Sequence, residues 1–293
     1  MMDYGAAIGQ QLINGVVLGL CYALLAFGLN LIVGILGIMS FAQGEFYMLG
    51  GVFTFAFMQY LGLGYVTSIL ASILIVAFIG ALAERFLIKP LAEKDMEITL
   101  LGTFAISIIL MNLLEYIFGN TPQKIFTPFK TLYNIGPLVI NQQRLVIIIA
   151  GILLVLLFNF MLKNTKFGIS VRATSQNKVA ANLVGINVAK TYTLTFGMGC
   201  FLAAIAGALM GPLSAVYPSM GQNIGLKGFV VIVLGGMGSL PGAVYGGIIL
   251  GVIESLGAAF ISSEWKDLIG YGAMILILLF KPQGLFGRKG AGV

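Results

Sequence analysis

The sequence predicts an all-α polytopic membrane bundle with about 8–10 transmembrane segments, some of them discontinuous helices. Three observations carry this expectation. Of 293 residues, 59% are hydrophobic and 9% are charged, too few polar side chains to cover a water-soluble globule of this size. Apolar runs of about 20 residues recur along the chain, the length a helix needs to cross a hydrocarbon core, whereas a transmembrane barrel would show short segments of alternating polarity. The 40 Gly suit a tight bundle in lipid, where small residues let helix backbones approach closely.

Composition also narrows the chemistry. There is no His, which removes His-based proton relays, haem ligation by His, and His-containing zinc or triad sites. Cys21 and Cys200 lie inside apolar runs far from any CxxC spacing and read as small buried apolar side chains. The net charge of +6 resides in loops without the aromatic–basic interleaving of single-strand binders, so topology explains it and no nucleic-acid partner is expected. The N-terminus lacks the basic region of a signal peptide, so no cleavage is expected.

Taken in order, Tyr4 to Gly44 carries no charge and is long enough for one long crossing or two short ones. Asn30 to Gly51 is punctured by Gly and holds Ser40, Gln43, Gly44 and Glu45, the pattern of a broken helix. Non-helical backbone at membrane depth survives only where protein or a water-filled cavity covers it. Helices are then expected over 44–60 and 66–88, ending in a charged cluster through Lys94 to Glu97, and over 98–118. The polar, Pro-rich loop 119–143 is placed outside. A crossing over 145–162 leads to the polar island Lys163–Lys190, which carries five cations and no acid, and by the positive-inside rule lies in the cytoplasm.

Thr191 to Gly211 crosses outward, and Pro212 to Gly225, free of Lys and Arg, reads as an external segment. Leu226 to Gly238 is too short and Gly-rich for an ordinary crossing, with Gly235, Gly236, Gly238, Ser239, Pro241 and Gly242 marking a second break. Crossings over 243–261 and 268–280 return the chain to an inner tail bearing Lys281, Arg288 and Lys289. The two breaks share a Gly cluster, a Ser, a turn residue, then Gly, Tyr and a Gly pair. Such symmetry points to duplicated halves lining a pathway, and a Gly-rich chain can also show it by chance.

Glu45 is the ionisable residue singled out. At membrane depth a Glu faces the bundle interior and is a functional candidate, but a break that lifts it to the interface would leave it merely hydrated. Glu115 and Glu254 are read as helix-end or inter-helix residues, and Lys227 as opening a half-helix at the external face.

Within the island, Ala180, Ala181 and Val184 of the AAxxxG core are expected on one helical face, with Gly185 ending the helix in a left-handed turn. This short helix either lies on lipid or docks into another protein; its small residues favour docking. Ala180, Ala181 and Gly185 resemble the coupling-loop signature of ABC importer permeases. The whole chain resembles the smaller of the two paired permeases of the high-affinity branched-chain amino acid importers, through 44–51, 183–187, 233–254 and 262–267.

The resemblance implies a type II-like permease: one transmembrane domain over 1–293 with coupling loop 163–190 and external loop 119–143. It implies ATPase coupling through Arg172, Ala180, Ala181, Val184 and Gly185, and a pathway through the two breaks. It also implies a bacterial inner-membrane location, a second homologous permease, two ATP-binding cassette subunits, and a periplasmic or lipid-anchored solute-binding protein. The chain is expected to bind no cofactor, ATP residing on the partner subunits, since no GxxxxGK[ST] pattern occurs. Where the family has Asn-Phe-Ala-His-Gly this chain has Ser40-Phe41-Ala42-Gln43-Gly44, which removes a group that titrates near neutral pH. Relatives that carry urea or short amides leave the substrate open. A stand-alone secondary transporter or channel is the competing class, with Glu45 and Glu254 as its coupling-ion candidates. An intramembrane enzyme is poorly supported, since Gly236-Met237-Gly238-Ser239 has a nucleophile-like look but no His base.

Overall fold

The computed structural model describes residues 4–92 and 96–287. Lys94 of the charged cluster, and Arg288 and Lys289 of the expected inner tail, lie outside the described residues. The chain runs α1 (Tyr4–Leu36), α2 (Gln43–Leu61) and α3 (Tyr65–Ala83), passes a π-helical turn (Glu84–Ile88), and continues as α4 (Lys89–Ala92) and α5 (Met96–Phe118). A hairpin of β1 (Leu132–Ile135) and β2 (Leu138–Asn141) precedes α6 (Gln142–Asn164), α7 (Lys166–Gln176) and α8 (Lys178–Leu183). The remainder is α9 (Val188–Met210), α10 (Met220–Gly235), α11 (Leu240–Phe260) and α12 (Lys266–Phe280).

Among the described residues six helical segments are long and apolar enough to cross a membrane, and the chain is a multi-pass helical membrane protein. They sort into inner and outer helices. The most apolar window of α1 is 83% buried and that of α9 72%, against 28% for α3 and α5 and 22% for α6. The outer helices therefore expose their Leu, Ile and Phe side chains to lipid, as a bundle in hydrocarbon must.

Close backbone approach holds the centre together. Gly15 and Gly19 of α1 face Gly247 and Gly251 of α11, and a Cβ on Gly19 would lie 2.7 Å from the Cα of Ile248. Both pairs are small-xxx-small spacings, which gain van der Waals contact where lipid supplies no hydrophobic drive between helices. On the other side α9 packs on α2, with Gly50 against Ala204 and Gly207 against Tyr47 at backbone contact. Cys200 of α9 fills the space beside Gly80 of α3, and both cysteines are free and buried.

The structure decides one alternative that the sequence left open and differs from the sequence reading in three places. The charge-free N-terminal stretch is one helix of 33 residues, about 50 Å at 1.5 Å per residue, and not two crossings. The second span does not stop at Ile88: a π-turn carries it into α4. The loop between α5 and α6 holds the antiparallel hairpin Leu132↔Asn141 to Ile135↔Leu138, turned at Gly136 with φ +59°, and Gln123 forms a bridge with Val216. Finally, α10 begins at Met220, so the segment expected outside as far as Gly225 ends at Ser219. Its Gly221 and Gly225 are not loop residues; they are contact points for Gly44 on α2.

Candidate translocation and coupling sites

Both breaks are present, and a different local device makes each. At the first, α1 closes on Gly37, whose φ of +70° is the left-handed region that glycine tolerates, and residues 37–42 lead into α2. Ser40, Gln43, Gly44 and Glu45 are all buried. The Gln43 Nε2 donates to the Gly199 carbonyl at 2.7 Å. Glu45 is 1% exposed; its Oε1 accepts from the Ser107 hydroxyl of α5 at 3.0 Å, while Oε2 lies against Gly221 without a hydrogen-bond partner. The carboxylate stands in the first turn of α2, where the helix dipole favours negative charge. Of the two locations open to Glu45 in the sequence, the structure places it in the interior, at the junction of α2, α5 and α10.

At the second break Gly236 (φ +104°) and Gly238 (φ +78°) reverse the chain, and Ser239 starts α11 by accepting from the Gly242 N–H at 3.1 Å. Ser239 is thus a helix cap, with Pro241 in the first turn where its missing N–H does no harm. Gly235 and Gly242 meet at backbone contact across the break. The Asn30 side chain of α1 accepts from the Gly238 N–H at 2.7 Å, which ties the helix before the first break to the turn of the second.

Two features of this region lie beyond the sequence reading. The tail after α12 returns to α10: the N–H groups of Leu285 and Phe286 donate to the carbonyls of Leu234 and Gly235 at 2.9 and 3.0 Å, satisfying acceptors that the helix end leaves open. A Cβ on Gly236 would lie 2.5 Å from the Gly287 nitrogen, and Phe286 stacks on Tyr245 at 5.1 Å. The second feature is an ion cluster around the buried Lys227 and Glu254, with Asp267 at its exposed edge. Lys227 Nζ lies 2.8 Å from Glu254 Oε1 and 2.7 Å from Asp267 Oδ1, Lys266 Nζ lies 3.5 Å from Glu254 Oε2, and the Tyr22 hydroxyl donates to Oε2 at 2.9 Å. Lys227 does not open a half-helix at the surface. It sits two full turns into α10 at 4% exposure, because α10 starts earlier than its apolar run does.

The polar island folds as α7 and α8, and Asn or Thr side chains cap each turn. Thr165 accepts from Gly168 N–H, Asn177 from Ala180 N–H, and Asn187 from Lys190 N–H. Gly185 has φ +86°, and the Ile186 N–H reaches the Ala181 carbonyl at 3.0 Å, the left-handed end expected for α8. The shared face is not as expected. Ala181 is 3% exposed and turned into the protein, while Ala180, about 100° from it on the helix, is exposed and Val184, the residue that closes α8, is 76% exposed. The exposed apolar side chains are Val179, Leu183 and Val184, with Ala180 beside them. Arg172 stands apart from them: its guanidinium donates to the carbonyls of Leu162 and Lys163, capping α6.

The family described as branched-chain amino acid transport system / permease component matches residues 11–278 of this chain. The high-affinity branched-chain amino acid transport system permease protein LivH of Salmonella typhimurium is 35% identical, with 95% of each chain covered. BraD of Pseudomonas aeruginosa, with the same description, is 33% identical over 95% of each. LivM of Escherichia coli is 27% identical over 92% of this chain and 68% of its own. Among solved structures, PsaBC from Streptococcus pneumoniae in complex with Fab superposes with a TM-score of 0.50 at 15% identity, covering 92% of this chain and 91% of that one, a likeness of fold alone.

Proposed function

We propose that this chain, which belongs to the family of branched-chain amino acid transport system permease components, is the membrane subunit of an ATP-driven importer. It passes a branched-chain or related amino acid inward by alternating access, in a bacterial inner membrane, with a second homologous permease completing the pathway. ATP is bound and hydrolysed on two separate cassette subunits, and a solute-binding protein delivers the substrate.

The observation that carries this reading is the face of α8. Val179, Leu183 and Val184 are 71%, 83% and 76% exposed on a short helix within an all-cationic island. Large apolar side chains on a rigid, capped helix suit the groove of another protein, and small neighbours such as Ala180 and Gly185 allow close approach. Force applied there reaches the breaks by a short route: α8 leads into α9, and α9 receives the Gln43 hydrogen bond at Gly199. The Gly-rich turns at Gly37 and at Gly236–Gly238 supply the positions where the bundle halves rock.

A stand-alone ion-coupled transporter needs a free ionisable group in the interior. Glu254 is matched by Lys227, which leaves Glu45 and Glu84, each buried with one carboxylate oxygen unpartnered, for that role. Reconstitution decides between the classes. The chain assembled with its ATPase and permease partners takes up leucine only with ATP; gradient-driven uptake by the chain alone would overturn the importer reading.

A further inference from the structure

We propose that the cavity of about 610 Å³ between the polar island and α4 is a binding site for a phosphate-bearing anion, and that its occupant is the headgroup of an anionic phospholipid. Its wall brings together Lys89 of α4, Lys178 and Asn182 of α8, Asn187 and Tyr192 at the start of α9, and Leu36 at the end of α1. Among the described residues no carboxylate lines it, and neither lysine takes part in an ion pair. Two ammonium groups thus share one concave space whose described wall holds no carboxylate; the Glu84 carboxylate, which acts on Lys89, lies outside that wall.

The remaining wall is suited to the same ligand. Val188 and Ala189 begin a 23-residue helix, whose N-terminal end carries partial positive charge and unpaired N–H groups. The Tyr192 hydroxyl is buried without a hydrogen-bond partner, and its ring receives Lys178 Nζ at 5.5 Å from the centroid. Leu36, Ala92, Ile186 and Val188 add an apolar side to the cavity.

Size and place favour a lipid over a free ion. The space is larger than a lone phosphate fills. It also opens where α1, α4 and α9 end, the level at which headgroups stand beside a membrane helix. Basic pockets between such helix ends bind anionic headgroups. Because its walls include α8 and the last residue before the first break, an occupant braces the coupling helix against that break. The proposal rests on the membrane placement of the chain and not on its substrate or on ATP coupling.

The test is native mass spectrometry of the full chain released from nanodiscs of phosphatidylethanolamine with a minor fraction of phosphatidylglycerol. Wild type retains phosphatidylglycerol. Lys89→Ala and Lys178→Ala each weaken retention by about fivefold, while Lys89→Arg with Lys178→Arg, which keeps both charges, retains it. Excess inorganic phosphate that fails to displace the lipid supports the lipid as occupant; displacement by phosphate overturns that choice of source. Equal retention by wild type and Lys89→Ala/Lys178→Ala overturns the site. So does unchanged lipid retention combined with loss of ATPase co-purification in the double variant, which would make the cavity a protein-docking pocket.

Discussion

Lys227 of α10 and Glu254 of α11 pair inside the bundle, the ammonium nitrogen 2.8 Å from both carboxylate oxygens, with neither residue more than 4% exposed. Charges of this kind are costly in lipid unless they are matched, and Lys266, Asp267 and Tyr22 complete the match across four helices. Glu254→Gln should therefore leave Lys227 partly uncompensated and lower stability by about 3–5 kcal/mol. Lys227→Met with Glu254→Leu should recover most of that loss. Thermal unfolding in detergent compares the three; equal melting of wild type and Glu254→Gln would show that the pair contributes nothing.

Leu183→Asp with Val184→Asp places carboxylates on the exposed face of α8. The expected result is normal membrane insertion with ATPase affinity lowered by about 2 kcal/mol or more, roughly thirtyfold. Gly185→Leu should act in the same direction by straining a backbone held at φ +86°. Co-purification of the cassette subunits measures both, and normal recovery in either variant argues against docking at α8.

Glu45 has one oxygen on Ser107 and one without a partner. Glu45→Gln keeps an acceptor for Ser107 but removes the charge, so uptake should fall by roughly tenfold at unchanged melting temperature, the size of one lost charge-assisted contact. Uptake equal to wild type would take Glu45 out of the pathway.

The tail is expected to be a structural clip on the second break. Gly284 has φ +78°, and a Cβ there would lie 2.6 Å from the Gly236 Cα, so Gly284→Val should destabilise by about 2 kcal/mol or more. Truncation after Lys281 frees the carbonyls of Leu234 and Gly235 and should cost a similar amount, about 1–3 kcal/mol per unpaired group if water does not reach it. Proteolysis near Gly236 reports the loosened break in both cases.

What the sequence determined by itself is local. Helix identity, both breaks and the end of α8 follow from neighbours within a few residues: Gly37, Gly236 and Gly238 turn the chain, and Gly185 stops α8. The charge of the island is a property of the stretch itself and needs no fold to be seen. Only the tertiary structure decided which helices meet. Tyr22 and Glu254 are 232 positions apart, Asn30 and the Gly238 amide 208, and the tail finds α10 from beyond two intervening helices. Those partners depend on α1 lying against α11, which the glycine spacings permit but do not specify. In lipid, where apolar faces have no preferred partner, close packing and the pairing of buried charges make that choice.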